Sequence, residues 1–257
     1  VDPDRFNRFV RFNTAGLWDN DSKGPRGALW LWNLACEGTT VDADLEWLPW
    51  LDNLRPERIF IHRGSLESIV RPGALRSGLW PWWVPLSWRG YAAMDPRCYF
   101  SAAPWRRLKQ GAVDRLKQRV RVHLLAKDPP APLMTVTEIH ERLSSFLAQI
   151  SSMAGEVFVI GLLPVGDDTF PGSASQFEAV NYVLARLANE FGAHFLDPSS
   201  SRGQRFDNPA FYYSDRFHPN LFGAREIAAF ICSSMTFPTT SCTQQSIHPR
   251  PLTSAQA

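Results

Sequence analysis

No apolar run in this sequence approaches the roughly 20 residues that a membrane-spanning helix needs, because a charge or a proline interrupts each one first. No transmembrane helix is therefore predicted. Excess charge is lacking too: 27 Lys and Arg against 25 Asp and Glu leave a net +2, too little to make nucleic acid a principal partner. The 4 cysteines, Cys36, Cys98, Cys232 and Cys242, are scattered without Cys-x-x-Cys spacing, which argues against a zinc site and a dense disulfide framework. They read as mostly free, buried thiols of a reducing compartment. The start, Val1-Asp2-Pro3-Asp4, has neither the basic n-region nor the apolar h-region of a secretory leader, and with the thiols this predicts a cytoplasmic protein. His62, His123, His140, His194 and His248 lack partners at ligand spacing, so neither a metal nor another cofactor is expected.

What is present is the material of a globular chain: 257 residues, 44% hydrophobic and 20% charged, enough for one sizeable domain. Short apolar runs alternate with helical patterns, the order of an α/β fold in which helices cover a parallel sheet. Strands are predicted at 28–34, 58–62, 157–161 and 194–196, and amphipathic helices at 44–54, 136–153, 175–191 and 224–235. Ser173 and Ser175 are the expected caps of the helix that starts near them. A single domain is expected over 1–235, and the Ser/Thr/Pro/Gln-rich tail 236–257 is expected to be disordered.

Residues 68–130 break the alternation and read as an insertion or lid. Of the 10 tryptophans, Trp80, Trp82, Trp83, Trp88 and Trp105 lie in it. A basic helical stretch follows from Trp105 to Lys127, carrying Arg106, Arg107, Lys109, Arg115, Lys117, Arg119 and Arg121. Such a segment suits an acyl pocket, a peripheral lipid contact, an anionic or sugar-containing substrate, or a packed insertion with a solvated basic face. Its interleaved Trp and Arg also suit single-stranded nucleic acid, which the near-neutral total charge makes a minor option.

The chemistry-bearing segment is Tyr213-Ser214-Asp215-Arg216-Phe217-His218-Pro219-Asn220, with Gly223 just behind it. It sets a carboxylate three residues before an imidazole, with Pro219 expected to open the following helix. That arrangement holds a general base still. Two further strand ends run into glycines: Asn33 to Thr40 with Gly38, and Ile59 to Ser68 with Gly64 and Ser65. Open α/β sheets bind ligands at that carboxyl edge. Asp167, Asp168 and Asp197 also fall at this edge and read as solvated loop, turn or cap residues.

In these segments the chain resembles the SGNH hydrolase superfamily, the GDSL esterases and lipases, over roughly residues 28–235. The resemblance implies a flavodoxin-like three-layer α/β/α sandwich. Residues 214–223 look like the family's fifth block, which makes Asp215 the orienting acid and His218 the base. Residues 33–40 look like its second block, which makes Gly38 an oxyanion donor. The third block departs: where the family has Gly-x-Asn-Asp, this chain reads Gly64-Ser65-Leu66-Glu67, and leucine donates no hydrogen bond. Arg63, Ser65 and the arginines of the insertion are the candidates to replace that donor.

The family's Gly-Asp-Ser block, which carries the nucleophile, has no counterpart after a hydrophobic strand near the start. Residues 4–13 look like the helix that normally follows it, so the nucleophile block is expected upstream of Val1. Asp21-Ser22-Lys23-Gly24 is the nearest internal imitation, which makes Ser22 a candidate, though the second-block strand begins too soon after it to leave room for a helix. The reading is a serine esterase acting on a carboxylic ester of a lipid, glycoside or small metabolite. An O-acyltransferase on the same fold, or a non-catalytic relative that lacks the nucleophile block, are the alternatives.

Overall fold

Val157 and Val159 turn to one side of their strand, Phe158 and Ile160 turn to the other, and each pair is buried against a different set of elements. The computed structural model describes residues 41–73, 81–85, 103–128, 130–168, 170–199 and 206–234. The expected strand 28–34, the expected helix 4–13, Ser22, Gly38, Cys36, Cys98, Cys242, Trp80, Trp88 and the tail from 236 lie outside these residues.

The strands are β1 (Arg58–Ile61), β2 (Arg71–Pro72), β3 (Pro130–Ala131), β4 (Glu156–Ile160) and β5 (His194–Leu196). The helices are α1 (Leu48–Leu54), α2 (Ser65–Ser68), α3 (Pro104–Leu125), α4 (Val136–Ile150), α5 (Ser173–Glu190) and α6 (Leu221–Ser234). Two 3-10 segments, Val41–Trp47 and Pro209–Phe211, join them. β1, β4 and β5 form a parallel sheet in that order, with Phe60 opposite Phe158 and Phe158 opposite His194. Those three rings stack across the sheet at 4.9 and 4.8 Å between centroids, the cross-strand pairing that fixes register.

On one face Val157 and Val159 meet Leu48 and Leu51 of α1, Ile139, Leu143 and Leu147 of α4, and Val180, Leu184 and Leu187 of α5. On the other, Phe158, Ile160 and Leu196 meet Phe206, Phe211 and Phe230, the last on α6. The period of two along β4 thus produces three layers, helices, sheet and helix. Each fully buried Leu or Ile in these layers contributes about 1.5–3 kcal/mol. The expected α/β sandwich with a parallel sheet is the fold of the described residues.

The local signals account for the helix boundaries. α4 begins at a capping box, in which Thr135 Oγ1 accepts from Glu138 N and Glu138 Oε2 accepts from Thr135 N. The segment expected as one helix over 44–54 is instead a 3-10 turn followed by α1, because Pro49 near the start of α1 has no N–H to continue an α-helical ladder. Ser173 and Ser175 do not cap α5. Gly172 precedes it in the left-handed region at φ 77°, and Asp167 Oδ1 accepts from Gly172 N and Ala174 N at 3.1 and 3.4 Å. Ser173 is buried and accepts from Val70 N instead, at 2.9 Å. Cys232, expected buried, is free and exposed on α6.

The two-stranded antiparallel pair of β2 and β3 joins Arg71 to Ala131 and Pro72 to Pro130. Between these points the chain forms α3, a 22-residue helix that packs toward β2.

Candidate active site

The loop between Tyr212 and Asn220 is closed on itself by backbone bonds. Tyr212 and Pro219 form a β-bridge, Tyr213 N donates to His218 O at 2.9 Å, and Arg216 N donates to Tyr213 O at 3.0 Å. Arg216 sits at the apex in the left-handed region, at φ 58°. Inside this loop Asp215 uses both oxygens: Oδ1 accepts from Phe217 N and His218 N, each at 3.0 Å, and Oδ2 lies 2.6 Å from His218 Nδ1. The carboxylate therefore orients the backbone and the ring together.

Burial pushes the Asp215 carboxyl up, but the hydrogen bond and charge of His218 and the two backbone N–H groups outweigh it, so its pKa lies below the ordinary value. With Nδ1 taken, His218 Nε2 has no hydrogen-bond partner among the described residues. Phe217 packs against the imidazole at 5.1 Å and meets Phe170 at 5.6 Å, so Phe217 sits between the two rings.

Pro219 does not open the helix. It is spent on the bridge to Tyr212, and α6 starts only at Leu221. Asn220 is the cap: its Oδ1 accepts from Phe222 N and Gly223 N at 2.9 and 3.0 Å, while its Nδ2 donates to Ala210 O and Tyr212 O. Gly223 is required by close approach, since a Cβ there would fall 2.1 Å from Phe211 O. These contacts hold the Asp215–His218 loop against α6.

From the other side the loop rests on α3. Ser214 Oγ donates to Asp114 Oδ2 at 2.7 Å, and Gln110 donates to Asp114 Oδ1 at 2.7 Å. The Arg121 guanidinium lies 4.3 Å from the centre of the Phe170 ring. Burial and the charge of Arg71 lower its pKa to about 10, against the opposing pull of Asp215 and Asp114. Asp114 belongs to no motif, and its one sequence signal is that it is the single acidic residue in a helix of many cations.

Gly64 and Ser65 lie just past the carboxyl end of β1, and neither shares a hydrogen bond with Asp215 or His218. Gly64 is buried at φ 104°, with Val180 and Leu162 closing over the position a side chain would take. That left-handed turn is open to glycine and strained for other residues. Ser65 Oγ is 3.4 Å from His62 Nε2, and His62 is exposed, as expected of a histidine without partners at ligand spacing. Crowding by protein atoms and the neighbouring Arg63 charge lower the His62 pKa, against the backbone carbonyls of Ile160 and Gly161, although the residue is exposed.

Glu67 is buried and structural: its Oε1 accepts from Val41 N at 2.9 Å. Asp197 forms a turn, accepting from Ser199 N and Oγ. Among the described residues no cluster of three His, Cys, Asp or Glu is placed to hold a metal ion. Gly38 and Ser22 fall outside those residues.

No family profile matches the sequence, and no curated protein is similar to it at a significant level. Solved structures similar in the course of the chain include two enzymes. One is the acetylxylan esterase Axe2 from Geobacillus stearothermophilus, at 14% identity and a TM-score of 0.45, covering 78% of this chain and 69% of that one. The other is LAE5, an alpha/beta hydrolase enzyme from the metagenome of Lake Arreo, Spain, at 16% identity and a TM-score of 0.43, covering 77% of this chain and 68% of that one. At these values the fold rests on the strand order and the two packed faces, and the chemistry rests on the Asp215–His218 geometry.

Proposed function

We propose that this chain is a serine ester hydrolase of SGNH type, with His218 as general base and Asp215 as its orienting acid. The observation that carries this is the 2.6 Å contact of Asp215 Oδ2 with His218 Nδ1, which leaves Nε2 without a partner among the described residues. An imidazole fixed at Nδ1 by a carboxylate presents Nε2 as the acceptor for a hydroxyl proton.

In the proposed reaction a serine hydroxyl gives its proton to Nε2 as its oxygen attacks the ester carbonyl carbon. Asp215 stabilises the imidazolium, and His218 returns the proton to the departing alcohol, leaving an acyl-enzyme. Water then repeats the sequence and releases the acid. The serine comes from outside the described residues, with Ser22 the candidate within the sequence. The N–H of Gly38 is assigned to the oxyanion, and Leu66 supplies no second donor. Losing one such donor lowers turnover by about 100 to 1000-fold, so slow hydrolysis is expected.

The test is release of p-nitrophenol from p-nitrophenyl acetate by the full-length protein and by His218→Ala. Loss of general-base catalysis lowers turnover by about 100-fold or more. Equal turnover by the two proteins removes His218 from the mechanism.

A further inference from the structure

Helix α3 has two unlike faces. Toward the protein it places Asp114 beneath Ser214 and Arg121 over Phe170. Away from it, Trp105, Leu108, Ala112 and Leu116 follow at steps of three, four and four residues and so form one stripe along the helix. The large side chains of that stripe are bare, at 61% for Trp105, 75% for Leu108 and 50% for Leu116. Arg106, Lys109, Arg115 and Arg119, all exposed, flank it, and no acidic residue lies on this side. Trp82, earlier in the insertion, is 90% exposed.

Single exposed apolar residues are ordinary on a protein surface. An aligned stripe bordered only by cations is a different pattern, because it matches a surface that is negative outside and apolar just beneath. We infer that the outer face of α3 docks on an anionic lipid bilayer, with Trp105, Leu108 and Leu116 entering the interface and the flanking cations meeting the lipid phosphates.

A soluble polyanion would account for the cations but gives Leu108 and Leu116 nothing to contact. A bilayer accounts for both. The contact is peripheral, since no helix among the described residues is long and apolar enough to cross a membrane. The opposite face of α3 carries the hydrogen bond to Ser214, next to Asp215. One rigid helix therefore separates the lipid surface from the candidate active site.

The experiment is co-sedimentation of the full-length protein with phosphatidylcholine vesicles, with and without phosphatidylserine. Binding is expected only when phosphatidylserine is present. Arg115→Glu with Arg119→Glu should weaken it by at least about 20-fold, since each cation near such a surface contributes roughly five-fold. Trp105→Ala with Leu108→Ser should weaken it by about 10-fold or more, while affinity for heparin stays unchanged. Failure to bind phosphatidylserine vesicles overturns the proposal. So does full retention of binding by the apolar double variant, which would assign the face to a polyanion. All four positions are exposed, so unchanged thermal melting separates loss of docking from loss of folding. Turnover of a soluble ester is a separate readout, so failure to dock leaves the esterase reading standing.

Discussion

Ser214 donates a 2.7 Å hydrogen bond to Asp114, one hundred residues earlier in the chain. The residue beside Asp215 is thus fixed by a helix outside the parallel sheet. Ser214→Ala removes one donor from a buried carboxylate that also holds Gln110. The expected loss is about 1–3 kcal/mol of stability in urea unfolding. Turnover should fall along with it, since Asp215 loses its neighbour's anchor, while an unchanged unfolding midpoint would show the contact to be idle.

Asp215→Asn keeps the shape of the loop but presents the wrong tautomer to His218. The expected effect is a fall in kcat of about ten-thousand-fold with KM little changed. Stability responds as well. The Asp215 carboxyl is held below its ordinary pKa, so its charged form contributes stability that is fully present above the ordinary carboxylate value and is lost as pH falls through its own lower pKa. The melting temperature of the native chain should therefore decline more steeply on acidification than that of the Asn variant. Parallel declines would show that Asp215 does not carry this term.

Gly223 and Asn220 test how α6 is seated. Gly223→Ala sets a methyl 2.1 Å from Phe211 O, and forcing the helix away from its turn costs about 1–3 kcal/mol or more. Asn220→Ala removes the cap bonds to Phe222 and Gly223, for about 1–2 kcal/mol. Thermal melting checks both. The two losses should combine by less than their sum, because the residues share one junction.

Much of this fold is legible along the sequence because β4 and β5 are apolar runs and α4 and α5 carry apolar residues at helical spacing. Asp215 and His218 are legible for a related reason: three residues apart on one loop, they need no distant segment to bring them together. What the sequence did not disclose depends on contacts across the chain. The cap of α5 comes from Asp167, several residues upstream, because Gly172 turns left-handed and Ser173 is diverted to Val70. Asp114 could be noticed as an isolated acid in a basic helix, but its partner Ser214 could not. Asn220 rather than Pro219 starts α6 because the β-bridge to Tyr212 claims the proline, a pairing with no local signature.

The most direct test of the central claim is labelling of the full-length protein with a fluorophosphonate, which reacts with a serine only when a base has activated it. Intact mass counts the adducts and peptide mapping places them. The account predicts one adduct per chain, on a single serine, formed by the native protein and lost in His218→Ala. No adduct on the native protein, or an adduct that forms equally fast without His218, would contradict it.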